Sequence, residues 1–146
     1  MYDIDKITQL LGGAETLGKA VRSPLELSTM VRDGLPGGVL ASLAAHLAPD
    51  ALRIVEFIFK NRGSASTMSS FMTHGRFSTE QSNRIYRVAA TLAHATDTLG
   101  SLAAAKTWLT SRHAFFDAAP LDRLETENGH ENVQAALGCL DHGIAV

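Results

Sequence analysis

Apolar residues return every three or four positions along most of the chain, which is the spacing of one face of an α-helix. The pattern begins with Ile4, Ile7 and Leu10 and recurs almost to the end of the chain. Helices this short are unstable alone in water, so we expect them to share a core in an all-α fold. The predicted helices lie at 4–11, 24–33, 36–48, 50–60, 64–74, 79–99, 101–110 and 121–124, with a last one between Gly129 and Gly143.

Residues at the predicted helix ends support these assignments. Ser23 is placed to cap a helix in which Pro24 takes the first position and Glu26 the third. Ser78 and Gln81 have the spacing of a capping box at the start of the longest helix. The glycines that fit helix ends are Gly12, Gly13, Gly34, Gly100 and Gly143. The longest helix is predicted to bury Ile85, Val88, Ala89, Leu92, Thr96 and Leu99.

One segment, 54–59, has two interpretations. Its β-branched and aromatic residues are typical of a strand. No second run of this kind is present to pair with it, so we favour a buried helix. The predicted helices at 36–48, 50–60 and 64–74 then have the size and spacing of a helix-turn-helix core, in which the third helix reads DNA.

Charge is distributed unevenly along the chain. The net charge of -2 excludes a uniformly basic nucleic-acid binder. Residues 1–49 carry four basic and five acidic side chains, residues 50–90 carry six and three, and residues 91–146 carry three and seven. A basic middle beside an acidic end fits a nucleic-acid face next to a protein-binding face, and ordinary solvated surface explains it equally well.

The chain shows no set of residues that would support catalysis or metal binding. Its six histidines include no metal-binding pair one helical turn apart, and His113 and Asp117 lie in an irregular stretch. The paired glycines at 12–13 and 37–38 lack the preceding strand of a phosphate-binding loop. The acidic residues between 122 and 131 fit a solvated or contact surface. We therefore predict that the protein is not an enzyme and needs no cofactor.

Cysteine, tryptophan and the chain start have simple interpretations. Cys139 stands alone, so no disulfide forms, and its apolar neighbours predict a buried thiol. Trp108 is expected in the core. The start of the chain lacks the basic and apolar segments of a signal peptide, and no apolar run approaches a membrane span, so we expect a cytoplasmic protein.

The last seventy residues contain short motifs in a distinctive order. They are Gly75-Arg76-Phe77-Ser78, Glu80-Gln81-Ser82-Asn83-Arg84, Arg87-Val88-Ala89, Ala104-Ala105 with Trp108-Leu109, Pro120-Leu121-Asp122-Arg123-Leu124-Glu125-Thr126, and Gly129, Val133, Leu137 and His142-Gly143. With these motifs at this spacing, the chain from Phe77 onward resembles the Xre/ParS-type antitoxins of RES–Xre toxin–antitoxin pairs.

The resemblance implies a function and a partner. Antitoxins of this family neutralise a RES-domain toxin, an enzyme that depletes NAD, by blocking its active site with the C-terminal domain. The resemblance further implies a homodimer within a larger hetero-oligomer, and repression of the protein's own operon. It divides the chain into a helix-turn-helix-like region at 1–76 and a toxin-binding domain at 77–146. The predicted toxin contacts are Glu125, Thr126, Glu127, His130, Asp141, His142, Gly143, Ile144, Ala145 and Val146.

The apolar tail has two interpretations. Ile144 to Val146 would form a partner-binding plug beside acidic residues, or would fold back onto the protein's own core.

The N-terminal half departs from the family in the helix predicted to read DNA. Thr67 and Met68 fit its Thr-Leu step, but Ser69 and Ser70 stand where paired basic residues would be. Lost phosphate contacts weaken DNA affinity, which puts operator binding in doubt. The predicted DNA contacts are Lys60, Arg62, Ser64, Ser66, Thr67, Ser69, Ser70 and Arg76.

Two other functions remain open at this point. A stand-alone helical DNA-binding regulator would use the helix at 64–74 and would have no toxin partner. An enzyme or small-ligand binder would need a site that the sequence does not show.

Overall fold

Helices form the regular structure of the protein in a computed structural model, which describes residues 4–47, 53, 56–58 and 75–143. These residues contain no β-strand, and the all-α prediction is confirmed. The helices are α1 (Ile4–Leu10), α2 (Gly13–Leu17), α3 (Pro24–Asp33), α4 (Gly38–Leu47), α5 (Thr79–Leu99), α6 (Leu102–Thr110), a 3₁₀ helix (Pro120–Glu125) and α7 (Glu127–Asp141). None of these helices is long and apolar enough to cross a membrane.

The helix-turn-helix prediction falls mostly outside the described residues. Its first helix corresponds to α4. In the second, residues 53 and 56–58 are helical, and Ile58 is fully buried, as the helical interpretation of 50–60 requires. The predicted reading helix at 64–74 lies outside the described residues, so the helix-turn-helix stays a prediction.

The predicted helix starts are confirmed at hydrogen-bond level. The Ser23 hydroxyl accepts a bond from the Glu26 amide at 3.2 Å. Ser78 accepts from the Gln81 amide at 3.1 Å, and the Gln81 side chain accepts from the Ser78 amide at 3.0 Å, which completes a capping box. These contacts span only three residues, so the sequence alone is enough to specify them.

One prediction around glycines is incomplete and another is wrong. Gly12 does end α1, but the chain then enters the five-residue helix α2, whose Leu17 is buried. A helix this short carries too few apolar positions for its period to be recognised. Gly129 does not form a turn before the last helix, because α7 already begins at Glu127, with Thr126 as its cap.

Helix α5 lies at the centre of the fold. It packs against α1 and α3, and also against α6, α7 and the 3₁₀ helix. The predicted stripe is confirmed from Ile85 to Leu92, whereas Thr96 and Leu99 are only half-buried. Contact from several sides buries additional positions on α5: Ser82, Arg84, Ala90, Thr91, Ala93 and Ala95.

The buried apolar residues form one cluster that extends from α1 to α7. The turn between α3 and α4 is joined to the segment before α5: the Gly37 amide donates to the Gly75 carbonyl at 2.8 Å, and the Phe77 amide donates to Leu35 at 2.9 Å. Residues on either side of the predicted boundary at 76/77 therefore share a core. The division into two functional regions stays a prediction.

Candidate functional site

A groove of about 720 Å³ lies between the segment 111–119, the 3₁₀ helix and the outer side of α7. We call it the α7 groove. Its lining residues are Phe115, Phe116, Asp122, Arg123, Glu125, Thr126, Asn128, Gly129, Asn132, Ala135, Ala136 and Cys139.

The groove exists because one face of α7 carries only small or short polar side chains. Asn128, Asn132, Ala135 and Cys139 follow one another at helical spacing and share that face. The opposite face carries Val133 and the other buried residues that join the core. Since no large side chain of α7 projects over the first face, an open depression remains beside the aromatic segment.

The aromatic wall of the groove is held in place by backbone-directed hydrogen bonds. The Arg123 guanidinium donates twice to the Phe116 carbonyl, from Nε at 3.0 Å and from a terminal nitrogen at 2.7 Å. The His113 amide donates to the Ala118 carbonyl at 3.1 Å, which closes the loop. This arrangement leaves Phe115 62% exposed at the groove edge.

Gly129 allows the 3₁₀ helix to approach the first turn of α7. A Cβ on Gly129 would lie 1.9 Å from the Arg123 carbonyl oxygen, a distance that no side chain tolerates. The residue is thus needed for close backbone contact and not for a turn. This contact sets the spacing between two walls of the groove.

Arg87 on α5 connects the same two elements from the other side. Its guanidinium donates to the Glu125 carbonyl at 3.1 Å and to the Leu124 carbonyl at 3.3 Å. Its Nε lies 3.5 Å from a Glu127 carboxylate oxygen. One largely buried cation therefore joins the end of the 3₁₀ helix to the start of α7.

A polar network fixes the inner side of α7 against α5. The two ring nitrogens of His94 lie 2.7 Å from Gln134 Oε1 and 2.7 Å from an Asp141 carboxylate oxygen. The Gln134 amide nitrogen lies 3.3 Å from the Thr91 hydroxyl and 3.1 Å from His130 Nε2. Hydrogen bonds from Thr98 and then His94 lower the pKa of Asp141 below its usual range. These contacts set the register of α7 along α5.

The predicted toxin contacts are placed in different environments. Glu125 and Thr126 line the α7 groove. Glu127 pairs with Arg87, and Asp141 belongs to the polar network. His142 and Gly143 are exposed at the end of α7, and Ile144, Ala145 and Val146 lie outside the described residues.

His130 differs from the other predicted contacts because its side chain is inside the fold. The residue is only 1% exposed, so it offers no surface to a partner of this chain. Burial lowers its pKa; the nearby Glu127 carboxylate opposes this effect, and Arg87 adds to it. The position holds α7 in place and does not present a side chain outward.

The predicted DNA contacts lie almost entirely outside the described residues: Lys60, Arg62, Ser64, Ser66, Thr67, Ser69 and Ser70. Arg76 is described. Its guanidinium donates to the Gly34 carbonyl at 2.7 Å and so helps to fix the α3–α4 turn.

Sequence reasoning missed most of the groove. The residues predicted from the sequence do not include Phe115, Asn128, Asn132 or Ala135, although an α7 face without large side chains is visible in the spacing. Cys139 is predicted to be buried, but it is half-buried and lines the groove, because it lies on the face of α7 opposite Val133 and Leu137. The described residues contain no group of His, Cys, Asp or Glu side chains that could hold a metal ion.

Residues 94–143 match the family model described as the antitoxin Xre/MbcA/ParS C-terminal toxin-binding domain. No curated protein matches the chain. The matched segment begins at His94 in the polar network and continues through α6, the 3₁₀ helix and α7, so it contains the α7 groove. Similarity to an antitoxin C-terminal domain is thereby confirmed for this third of the chain.

Proposed function

We propose that this protein is an antitoxin that binds and neutralises a toxin protein through its C-terminal region. The observation that carries the proposal is the match of residues 94–143 to an antitoxin toxin-binding domain. The structure supports a binding role, since the same residues form an open groove with an exposed aromatic side chain at its edge.

We further propose that the toxin has a RES domain and depletes NAD, and that the C-terminal region blocks its active site. The ordered motifs from Phe77 onward support this assignment, as does the acidic composition of residues 91–146. Within this proposal the chain forms a homodimer in a larger complex with the toxin. Glu125, Thr126, His142, Gly143 and the tail would contact the toxin, and His130 would keep α7 in position.

A co-expression growth assay tests this function. The probe is a RES-domain toxin, which the proposal expects to be encoded beside this chain, produced with the full-length protein or with a variant that lacks Gly143–Val146. We expect the full chain to restore growth and cellular NAD, and the shortened chain to keep its helical circular-dichroism spectrum but lose protection. Growth arrest with the full chain would contradict the function, whereas equal protection by both chains would contradict only the role of the tail.

Repression of the operon is a separate part of the proposal. It depends on predicted contacts such as Lys60 and Arg62, and serines at 69 and 70 reduce the number of phosphate contacts that the region can make. A gel-shift titration with the DNA upstream of the gene, repeated at two salt concentrations, tests it. A complex that weakens steeply with salt is expected, and no complex at either concentration would leave toxin neutralisation as the sole function.

A further inference from the structure

The α7 groove presents an apolar side chain that the other described residues leave exposed. Phe115 and Leu25 are the large hydrophobic residues exposed within the described chain, and Phe115 stands at the edge of the groove. The ring of Phe116 meets it edge to face, with centroids 5.0 Å apart, so the position of Phe115 is supported from below. An apolar side chain entering the groove would complete this aromatic contact.

Two asparagine side chains in the groove are available for hydrogen bonding. Asn128 and Asn132 are exposed and lie one turn apart on α7, and their amides bond to none of the described residues. Gln134, on the inner side of the same helix, is fully engaged with Thr91, His94 and His130. A side-chain amide offers both donors and an acceptor, which is the pattern that a polypeptide backbone satisfies.

The charges around the groove favour a basic occupant. Of the lining residues, Asp122 is paired with Arg53 at 3.1 Å. The Arg123 guanidinium donates to the neutral Phe116 carbonyl, so it keeps its positive charge and offsets the negative charge of Glu125. Glu131, at the edge of the groove face of α7, is exposed and forms no ion pair with the residues that the structure describes.

From these three features we propose that the α7 groove binds an extended, basic segment of the toxin. Its backbone would bond to Asn128 and Asn132, one large apolar side chain would pack against Phe115, and a basic side chain would face Glu131. This inference rests on the proposed antitoxin function and adds a second contact, separate from the C-terminal tail. The match to a toxin-binding domain is what identifies the occupant as a toxin.

Cys139 provides a reporter inside the groove, because it is the single cysteine of the chain. The rate of its alkylation by N-ethylmaleimide is measured by mass spectrometry for the full-length chain alone and for its complex with the RES-domain toxin of the co-expression assay. We expect alkylation to slow at least about tenfold in the complex, since a filled groove excludes the reagent. Equal rates would overturn the proposal, as would protection of the free chain that rises with its own concentration, which would identify a second copy as the occupant.

A matched pair of substitutions tests the groove directly. Ala135→Trp fills it from an exposed helical position, and Ala103→Trp places the same side chain on an exposed position of α6 outside the lining. In calorimetric titrations with the same RES-domain protein, we expect Ala135→Trp to weaken binding at least about tenfold and Ala103→Trp to leave it unchanged within about twofold.

The outcomes separate this inference from the proposed function. If the unaltered chain does not bind the RES-domain protein, both are wrong. If it binds and Ala135→Trp binds equally well, only the groove assignment is wrong. Should Ala135→Trp fail to fold, Glu131→Lys is the second variant, and it is expected to weaken binding and to reduce its dependence on salt; unchanged binding and salt dependence would again overturn the groove assignment.

Discussion

Helices α1 to α4 differ from helices α5 and α7 in whether they bury polar side chains. In residues 4–47 the buried side chains are leucines, valines and Ile7, whereas every buried polar or charged side chain in the described residues lies on α5 or α7. These four residues are Ser82, Arg84, Thr91 and His130. Apolar contact holds helices together but tolerates small shifts, while hydrogen bonds between fixed partners select one register.

The difference suits two structural roles, a fixed position for α7 and a packed support for α5. The polar network and Arg87 hold α7 in one position along α5 and the 3₁₀ helix, and that position shapes the α7 groove. A surface that must match a partner gains from such fixed geometry. The N-terminal helices bury their apolar faces against α5, and a hydrogen bond from the Leu35 amide to the Ser82 hydroxyl at 2.8 Å also joins the α3–α4 turn to it. Four predictions test this comparison.

The largest expected effect is on apolar packing in the N-terminal region. Leu40→Ala, at a fully buried site on α4, should lower the free energy of unfolding by about 3 to 4 kcal/mol because it leaves a cavity. Leu25→Ala removes a side chain that is 76% exposed and should change the free energy of unfolding by less than about 0.5 kcal/mol. Urea unfolding followed by circular dichroism measures both. Similar losses for the two variants would contradict the assigned core.

Alanine substitutions of two glycines on α7 should change the stability of the protein in opposite directions. Gly129→Ala should destabilise the protein by about 2 to 3 kcal/mol, because its Cβ would collide with the Arg123 carbonyl. Gly138→Ala, with open space around its Cβ, should stabilise it by about 1 kcal/mol through helix propensity. The same unfolding experiment applies. A Gly129→Ala variant as stable as the unaltered chain would show that the 3₁₀ helix does not approach α7 this closely.

Helix caps should contribute equally to the free energy of unfolding in the two regions. Ser23→Ala on α3 and Thr126→Ala on α7 each remove one side-chain acceptor for a backbone amide, and each should cost about 1 kcal/mol. Ser28→Ala, on the exposed side of α3, is the control and should cost nothing. A much larger loss for Thr126→Ala would mean that this cap also supports the contact between the 3₁₀ helix and α7.

The smallest effect near neutral pH concerns His130. Because its pKa is lowered from 6.5 in the folded protein, the unfolded chain binds a proton more readily. The stability that comes from burying His130 in its neutral form is therefore fully present above about pH 6.5. It is lost as the pH falls toward the lower pKa of His130 in the folded protein. Unfolding free energies measured between pH 5 and pH 8 should decline on the acid side, and less so in His130→Gln.

His46→Gln, at an exposed position on α4, is the control for this experiment and should retain the decline. If His46→Gln abolished the decline and His130→Gln did not, the pH dependence would belong to the N-terminal region, and the comparison would fail.

Much of the secondary structure was predictable because its signals are local. Ser78 and Gln81 form their capping box across three residues, and Ser23 caps α3 as expected. The apolar stripe from Ile85 to Leu92 is buried as its period requires. The candidate site was less predictable: Glu125 and Thr126 line the groove, but His130 is buried, and the predicted contacts do not include Phe115 or Asn132.

The sequence by itself determined the helical class, most helix boundaries and the similarity to an antitoxin domain, since periodicity, caps and motifs are written within a few neighbouring residues. Tertiary structure decided which polar residues are buried and where a groove opens. Phe115 and the small-residue face of α7 line one groove because the 3₁₀ helix packs closely on α7, with Gly129 against the Arg123 carbonyl. Side chains distant in sequence acquire a common surface only through packing, because burial and hydrogen-bond partners depend on which helices become neighbours.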